Sequence, residues 1–246
     1  MIENCDAIEY LDKMPATRCV FMDIPDNIGL AYIDVVDRIP NYIQWVAHLL
    51  EKALMKADIV WMSYNQIWDL RIKHKIVTHA LDQARNMKQI IWRYTFGQYN
   101  DAEEASGYRP ILRFVKPGIH LNYDAIRVES ERMKKGDKRA AGPRIPDDVW
   151  EYPRIVKPAK ERREWHPTQH PEALLERILL LSCTDMFDPL ENTFCQPIGG
   201  VVDPFMGSGT TAIVAKKLGI PASGCDLSPF YVRMINYELG KINGHA

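Results

Sequence analysis

The sequence of 246 residues lacks the features that mark secreted, membrane-spanning and disulfide-bonded proteins. Its first ten residues contain no basic stretch followed by an apolar one, and no run of about 18 apolar residues occurs, so neither a secretory signal nor a membrane span is predicted. The five cysteines are an odd number without C-x-x-C spacing, which argues against disulfide and zinc frameworks. We therefore expect a cytoplasmic protein with reduced, mostly buried thiols and no membrane partner.

The chain as a whole also lacks an excess of charge of one sign, since its formal net charge is -1. One segment, however, carries an excess of positive charge. Residues 127–163 contain 12 Lys/Arg against 7 Asp/Glu, with Trp150 and Tyr152 among them. Such a segment can be an ordinary solvated surface. Cations interleaved with aromatic rings also suit phosphate contact and base stacking, so nucleic acid is a candidate partner. The candidate contacts are Arg139, Arg144, Arg154 and Lys157.

The first half of the chain alternates between short apolar runs and stretches with helical periodicity. Strands are predicted at 20–22, 59–62, 89–92 and 111–115, and helices at 41–57 and 68–87. The alternation indicates an α/β fold, a mainly parallel sheet with helices on both faces, in which Trp61, Trp92 and Phe114 are core residues. Residues 120–164 lose this rhythm and are interpreted as an inserted recognition region.

Regular structure resumes with a predicted helix at 172–182 and then a strand, a glycine turn and a helix at 200–218. A glycine turn between a strand and a helix lets backbone N–H groups approach a ligand closely. Asp203 ends the first strand, and Asp226 ends a second strand predicted at 222–225. These carboxylates are placed to accept hydrogen bonds from a ligand ammonium and from ribose hydroxyls, respectively.

Three stretches together resemble the amino-methylating DNA methyltransferases. Residues 203–211, DPFMGSGTT, resemble the S-adenosylmethionine motif of that family, whereas the fuller G-x-G-x-x-G pattern of nicotinamide-binding proteins is absent. Residues 166–172, HPTQHPE, resemble HPTQKPE with His170 in place of lysine. Residues 23–29, DIPDNIG, resemble the catalytic DPPYNIG, and their position before the cofactor motif is the order of the β class.

The resemblance extends from about Cys5 to Leu239. It implies a Rossmann-like S-adenosylmethionine-dependent methyltransferase fold, with a catalytic half at 1–119, a basic target-recognition region at 120–164 and a cofactor-binding half at 165–246. It also implies S-adenosyl-L-methionine as cofactor, DNA as partner, and a homodimer or heterodimer as the assembly. The implied cofactor-binding residues are Asp6, His166, Thr168, Asp203, Pro204, Phe205, Gly207, Ser208, Gly209, Thr210, Thr211 and Asp226.

The catalytic candidates are Asp23, Ile24, Pro25 and Asp26. In DPPY enzymes the acid and the carbonyl of the next residue accept hydrogen bonds from the target amine, while the aromatic ring stacks on the extruded base. The resemblance gives these acceptor roles to Asp23 and the Ile24 carbonyl, although losing proline at 24 makes the turn less rigid. Asp26 replaces the aromatic residue, and the lost stacking is worth about 1–3 kcal/mol.

Three interpretations of Asp26 are open. The catalytic loop is degenerate, so that the chain binds cofactor or DNA without efficient transfer. Alternatively, another aromatic residue, Tyr32, Tyr94 or Phe96, supplies the stacking. In the third interpretation, the extra carboxylate accepts a hydrogen bond from an unusual or already modified base.

The resemblance favours methyl transfer to adenine N6 over cytosine N4, because members with Asp at the first catalytic position mostly act on adenine. Methylation of cytosine C5 is disfavoured, because it needs a nucleophilic cysteine, typically in a Pro-Cys pair, and no such dipeptide occurs. The alternative from another class is a non-catalytic DNA-binding or partner subunit that keeps the fold.

Overall fold

The computed structural model describes residues 2–79, 86–94, 104–139, 142–185 and 197–242. The strands in these ranges are β1 Ile2–Asn4, β2 Thr17–Asp23, β3 Ala31–Tyr32, β4 Val35–Val36, β5 Ala57–Ser63, β6 Asn86–Arg93, β7 Tyr108–Val115, β8 Val149–Glu151, β9 Val201–Asp203 and β10 Ala222–Asp226. The helices are α1 Ala7–Lys13, α2 Tyr42–Lys56, α3 Asp69–Thr78, α4 Glu131–Lys134, α5 Glu172–Cys183, α6 Thr210–Lys217 and α7 Pro229–Ile242.

Eight strands form one sheet in the order β1-β10-β9-β2-β5-β7-β6-β8, and β3 and β4 form a separate two-stranded hairpin. The large sheet is parallel except at β7, which runs antiparallel to both of its neighbours. Its direction brings the first residues of β7 to the edge where β2 and β5 end, because Ser63 pairs with Ile111 and Arg109 lies two residues further towards that edge. The carboxyl ends of β2, β5, β9 and β10 share this edge, where parallel α/β sheets usually bind ligands.

Helices cover both faces, as the sequence predicts, because successive strand residues point to opposite sides of the sheet. Val20 and Met22 pack into one apolar cluster with α1, α2 and α3. Cys19 and Phe21 pack into a second cluster with α5 and α6. Trp61, Trp92 and Phe114 are buried in these clusters, which confirms their prediction as core residues.

One predicted helix extends too far along the chain. The helix predicted at 68–87 ends at Thr78, and Met87 lies in β6, because residues 86–93 form a complete antiparallel ladder with β7. Tertiary strand pairing thus overrides local helical periodicity. The prediction of a mainly parallel sheet is confirmed, with β7 as the antiparallel strand among those described.

Some elements have no counterpart in the sequence analysis, namely β1, α1, the β3–β4 hairpin and α7. The segment 120–164 supplies β8, which pairs in parallel with β6 at the edge of the sheet and buries Trp150. Cys19, Cys183 and Cys225 are buried free thiols and Cys5 is half-buried, while Cys195 lies outside the described residues. Within the described ranges, every helix is too short or too polar to cross a bilayer.

Candidate active site

A cavity of about 910 Å³ opens at the carboxyl edge of the sheet. It is lined by the loop after β2, which contains the DIPD sequence, and by the loop after β9, which contains the glycine turn. These loops are adjacent because β2 and β9 are neighbouring parallel strands. The fold therefore brings the two sequence motifs to a single cavity.

Asp203 is buried at the end of β9, and both of its oxygens accept hydrogen bonds from its own loop. Oδ1 accepts from the Phe205 backbone N–H at 2.8 Å, and Oδ2 accepts from the Thr211 hydroxyl at 2.6 Å. These donors are neutral, so burial dominates and raises the pKa of Asp203 to about 7. Asp203 thus ties the glycine turn to the first turn of α6.

Asp226 fastens the same turn from the neighbouring strand. Its Oδ2 accepts from the Gly207 N–H at 2.7 Å and its Oδ1 from the Ser228 N–H at 2.8 Å. Gly207 and Gly209 have φ of +48° and +74°, conformations that L side chains rarely adopt. A Cβ atom on Gly209 would also lie 2.8 Å from Ile235. The turn therefore depends on glycine for both conformation and packing.

Eleven of the twelve predicted cofactor residues line the cavity: Asp6, His166, Thr168, Asp203, Pro204, Phe205, Gly207, Ser208, Thr210, Thr211 and Asp226. Gly209 does not line it and instead caps α6. Asp6 lines the cavity as the N-cap of α1, where its Oδ1 accepts from the Ile8 N–H at 2.8 Å. Burial lowers the pKa of His166 to about 4, so this imidazole is neutral at pH 7, and its Nδ1 hydrogen-bonds to the Thr168 carbonyl.

The DIPD loop is held by three contacts from elsewhere in the chain. The Tyr42 hydroxyl donates to the Pro25 carbonyl at 2.5 Å, and the Trp68 indole donates to the Asp26 carbonyl at 2.7 Å. Asn27 has φ of +53°, and its side-chain oxygen accepts from the Ile39 N–H at 2.7 Å. Tertiary contacts therefore fix this loop although Ile24 replaces the first proline of DPPY.

Arg109 links the two aspartates of this loop. Its Nη2 donates to Asp23 at 2.8 Å, its Nη1 donates to Asp26 at 2.8 Å, and its Nε donates to the Ser63 hydroxyl at 2.8 Å. The Arg109 side chain is only 12% exposed. His170 lies on the other side of Asp23, with Nδ1 3.4 Å from Oδ2. Asp26 is therefore a partner of a buried cation, a role that none of the three sequence interpretations contains.

The charges of this cluster follow from these contacts. Burial has the largest single influence on the pKa of Asp23 and raises it, but the Arg109 guanidinium, His170 and the hydrogen bonds from Ser63 and Arg109 together outweigh burial and hold that pKa below its ordinary value. Burial lowers the pKa of His170, so the imidazole is neutral at pH 7. Asp23 is therefore an ionised acceptor, and Arg109 is the cation beside it.

The cavity is acidic overall, with six aspartates and three arginines in its lining. One of the aspartates, Asp37, is buried, and its Oδ1 has no hydrogen-bond partner within the described ranges. S-adenosyl-L-methionine carries a sulfonium and an ammonium, and both the volume and the charge of the cavity fit it.

The other predicted residues are dispersed. Tyr32 and Tyr94 line the cavity, and Phe96 lies outside the described residues. Of the candidate DNA contacts, Arg154 lines the cavity and lies 5.3 Å from the centre of the Tyr94 ring. The remaining three are paired with carboxylates on the surface, namely Arg139 with Asp137, Arg144 with Asp147 and Lys157 with Glu164.

No sequence motif pointed to Arg109, Ser63 or Asp37, and His170 stood out only as a departure from the family pattern. One signal was present for Arg109, since an arginine in a strand as apolar as β7 needs a polar or aromatic partner when it is buried, as Arg113 has in Tyr123. The identity of that partner depends on strand order, which the sequence does not display.

Comparison with known proteins agrees with this geometry. A family model described as DNA methylase, of the N6/N4 type, matches residues 17–237. The chain is 29% identical over 255 residues to the DNA adenine methyltransferase YhdJ of Escherichia coli, covering 93% of this chain and 79% of that protein. It is 34% identical over 238 residues to the type II methyltransferase M.HpaI of Haemophilus parainfluenzae, covering 92% of this chain and 69% of that protein.

Solved structures share the fold. The cytosine-N4-specific PvuII DNA methyltransferase matches with a TM-score of 0.67 at 14% identity, covering 94% of this chain and 83% of that one. The M1.HpyAVI–SAM complex matches with a TM-score of 0.59 at 18% identity, covering 97% and 98%. The chain belongs to the N6/N4 family of DNA methyltransferases, whose members use S-adenosyl-L-methionine as methyl donor.

Proposed function

We propose that this protein transfers a methyl group from S-adenosyl-L-methionine to adenine N6 in DNA, at a specific recognition site as in type II modification. The observation that carries the proposal is the position of Asp23, an ionised acceptor in the same cavity as the complete cofactor motif. Adenine is preferred to cytosine because the first catalytic position is Asp, and because the E. coli relative is named an adenine methyltransferase.

In this proposal the bound cofactor supplies an electrophilic methyl group, and the chain positions the amine that receives it. Asp23 accepts one amine hydrogen, and the Ile24 carbonyl accepts the other. No hydrogen bond from the described residues occupies that carbonyl. Together the two acceptors fix the direction of the amine lone pair and stabilise the positive charge that develops on the nitrogen.

The cofactor is held, in the same proposal, by the turn that Asp203 and Asp226 brace, with Phe205 and Asp6 at its sides. The basic segment contacts the DNA, and Arg154 is the contact nearest the base because it lines the cavity. Tyr94, beside Arg154, is the aromatic residue we assign to base stacking.

The experiment is incubation of the protein with labelled S-adenosyl-L-methionine and unmethylated genomic DNA, followed by nucleoside mass spectrometry. We expect labelled N6-methyladenine, reduced about 100-fold or more in Asp23→Ala. Asp12→Ala removes an exposed aspartate and is the matched control, with wild-type activity expected. Labelled N4-methylcytosine would overturn the choice of base.

A second candidate, a non-catalytic DNA-binding subunit, is favoured by one observation. Both Asp23 oxygens already have protein partners, Arg109 and His170. This candidate predicts cofactor binding, measured by calorimetry, without any labelled nucleoside from the wild-type protein. The labelling experiment therefore separates the two functions directly.

A further inference from the structure

The departures from the family pattern cluster around one side chain, Arg109. Asp26 stands where the family has an aromatic residue, and His170 stands where it has lysine. Asp26 pairs with Arg109, and neutral His170 leaves Arg109 as the cation beside Asp23. The positive charge that the family segment places at position 170 is therefore supplied here from β7.

Arg109 retains hydrogen-bonding capacity after these contacts. A guanidinium has five N–H donors in a fixed plane. Three of them point to Asp23, Asp26 and Ser63, and within the described ranges the other two have no acceptor. Arg109 lines the cavity and is therefore part of the wall that an extruded base would face.

Asp23 and Arg109 together form an acceptor beside a donor. The amino edge of adenine has the complementary arrangement, an N–H donor on N6 and an acceptor at the adjacent ring nitrogen N1. Cytosine has the same pattern at N4 and N3, whereas guanine and thymine present a carbonyl beside a ring N–H, which is the reverse order. Enzymes that extrude a base read this Watson–Crick edge by hydrogen bonds.

We propose that Arg109 is a specificity-determining residue that donates a hydrogen bond to the ring nitrogen next to the target amine, and that Asp26 is its anchor. This inference rests on the proposed function, since it concerns the same base in the same cavity. In this arrangement Asp26 holds one terminal nitrogen of Arg109 away from Asp23. Without it, both terminal nitrogens of Arg109 are free to pair with Asp23 and to occupy the carboxylate that the amine needs.

The test replaces N1 of the target adenine by carbon, because 1-deazaadenine keeps the N6 amine and loses only the ring acceptor. Duplexes with adenine or 1-deazaadenine at the mapped recognition site are compared by kcat/KM for wild type and for Arg109→Gln. We expect 1-deazaadenine to slow wild type about 10- to 100-fold. On adenine, kcat/KM of Arg109→Gln should be lower than that of wild type by a similar factor. Replacing adenine by 1-deazaadenine should then hardly change kcat/KM of this variant.

Controls separate recognition from folding. Arg233→Gln removes an exposed arginine on α7 and should keep the full deaza effect of wild type. Cofactor affinity and melting temperature show whether Arg109→Gln is folded. Arg109→Lys is the second variant, because it keeps the charge but cannot bridge two carboxylates, and it too should lose most of the deaza effect.

Two results overturn the inference. An equal deaza effect in wild type and Arg109→Gln would mean that Arg109 does not contact the ring nitrogen. A rate for Arg109→Gln on adenine that equals or exceeds that of wild type would mean that Arg109 blocks Asp23. Failure of the proposed function has a different signature, namely no methyladenine from wild type on natural DNA.

Other results of the labelling experiment leave the inference testable. If N4-methylcytosine is the product, 3-deazacytosine replaces 1-deazaadenine in the same comparison. If wild type transfers no methyl group, equilibrium affinities are compared for mixed-sequence single strands with adenine or 1-deazaadenine throughout. The deaza substitution should then weaken binding by wild type and not by Arg109→Gln, and equal effects on both proteins would overturn the inference.

Discussion

Two aspartates at the ends of neighbouring strands, Asp23 on β2 and Asp203 on β9, line the same cavity, yet their pKa values move in opposite directions. The pKa of Asp203 is raised to about 7 because its partners, a backbone N–H and a hydroxyl, are neutral and do not offset burial. The pKa of Asp23 is lowered because Arg109, together with His170 and Ser63, outweighs burial. The carboxylate that braces a loop has only local neutral partners, and the one proposed to act on the amine has a cation brought from a distant strand.

The largest effect on stability is expected from Gly224→Ala, because Gly224 on β10 packs against Asp203. A Cβ atom on Gly224 would lie 1.9 Å from the Asp203 carbonyl oxygen, so β10 and β9 would have to separate. We expect a loss of about 3 kcal/mol in the free energy of unfolding, measured by urea denaturation. Gly240→Ala is the control, since its Cβ would meet nothing within 4 Å in the last turn of α7, and alanine there should stabilise the protein slightly. A stable Gly224→Ala protein would contradict this account of the β9–β10 contact.

The opposite pKa shifts predict different pH dependences of stability. Between pH 5 and 7 native Asp203 holds a proton that the unfolded chain has lost, so its contribution to stability falls as pH rises. Asp203→Asn removes this dependence. The free energy of unfolding of this variant minus that of wild type should therefore rise by about 2 kcal/mol from pH 5 to pH 7. The free energy of unfolding of Asp23→Asn should change with pH as that of wild type does between pH 5 and 7, because the lowered pKa of Asp23 lies below this range. Equal slopes for wild type and Asp203→Asn in urea titrations would refute the raised pKa.

A smaller effect is expected from the Asp26–Arg109 pair. A double-mutant cycle with Asp26→Asn and Arg109→Met should give a coupling of about 1–2 kcal/mol in the free energy of unfolding, because both side chains are largely buried. The control is the Arg93–Glu151 pair, which is about 60% exposed and should couple by less than about 1 kcal/mol. If the two cycles gave equal coupling energies, the Asp26–Arg109 pair would contribute no more to stability than a surface ion pair does.

The smallest effect concerns DNA affinity. Arg154→Gln should weaken binding about threefold to tenfold and reduce the slope of log affinity against log salt by about 1, since Arg154 lines the cavity. Arg139→Gln should change affinity less, because that side chain is 83% exposed and already paired with Asp137. Fluorescence anisotropy at several salt concentrations measures both slopes. A larger effect for Arg139 would place the main DNA contact away from the cavity mouth.

Much of the fold was predictable because its signals are local. The strands at 20–22 and 59–62 and the helix at 41–57 follow from apolar periodicity, and the structure extends them by only a few residues or trims them slightly. The direction of β7 was not predictable, since antiparallel and parallel strands have the same side-chain alternation. The helix predicted to continue to Met87 failed for the related reason that pairing with β7, a non-local contact, decides the conformation of 86–93.

The sequence by itself determined the family, the cofactor and the turn between β9 and α6, because glycine conformations, helix capping and bracing by Asp203 act over a few residues. Only the tertiary structure decided the meaning of Asp26. Its partner lies 83 residues away on a strand whose antiparallel direction brings Arg109 to the edge where β2 ends. A buried charge requires a counter-charge, but sequence spacing does not say which one, since chain topology sets the distances between carboxylates and cations.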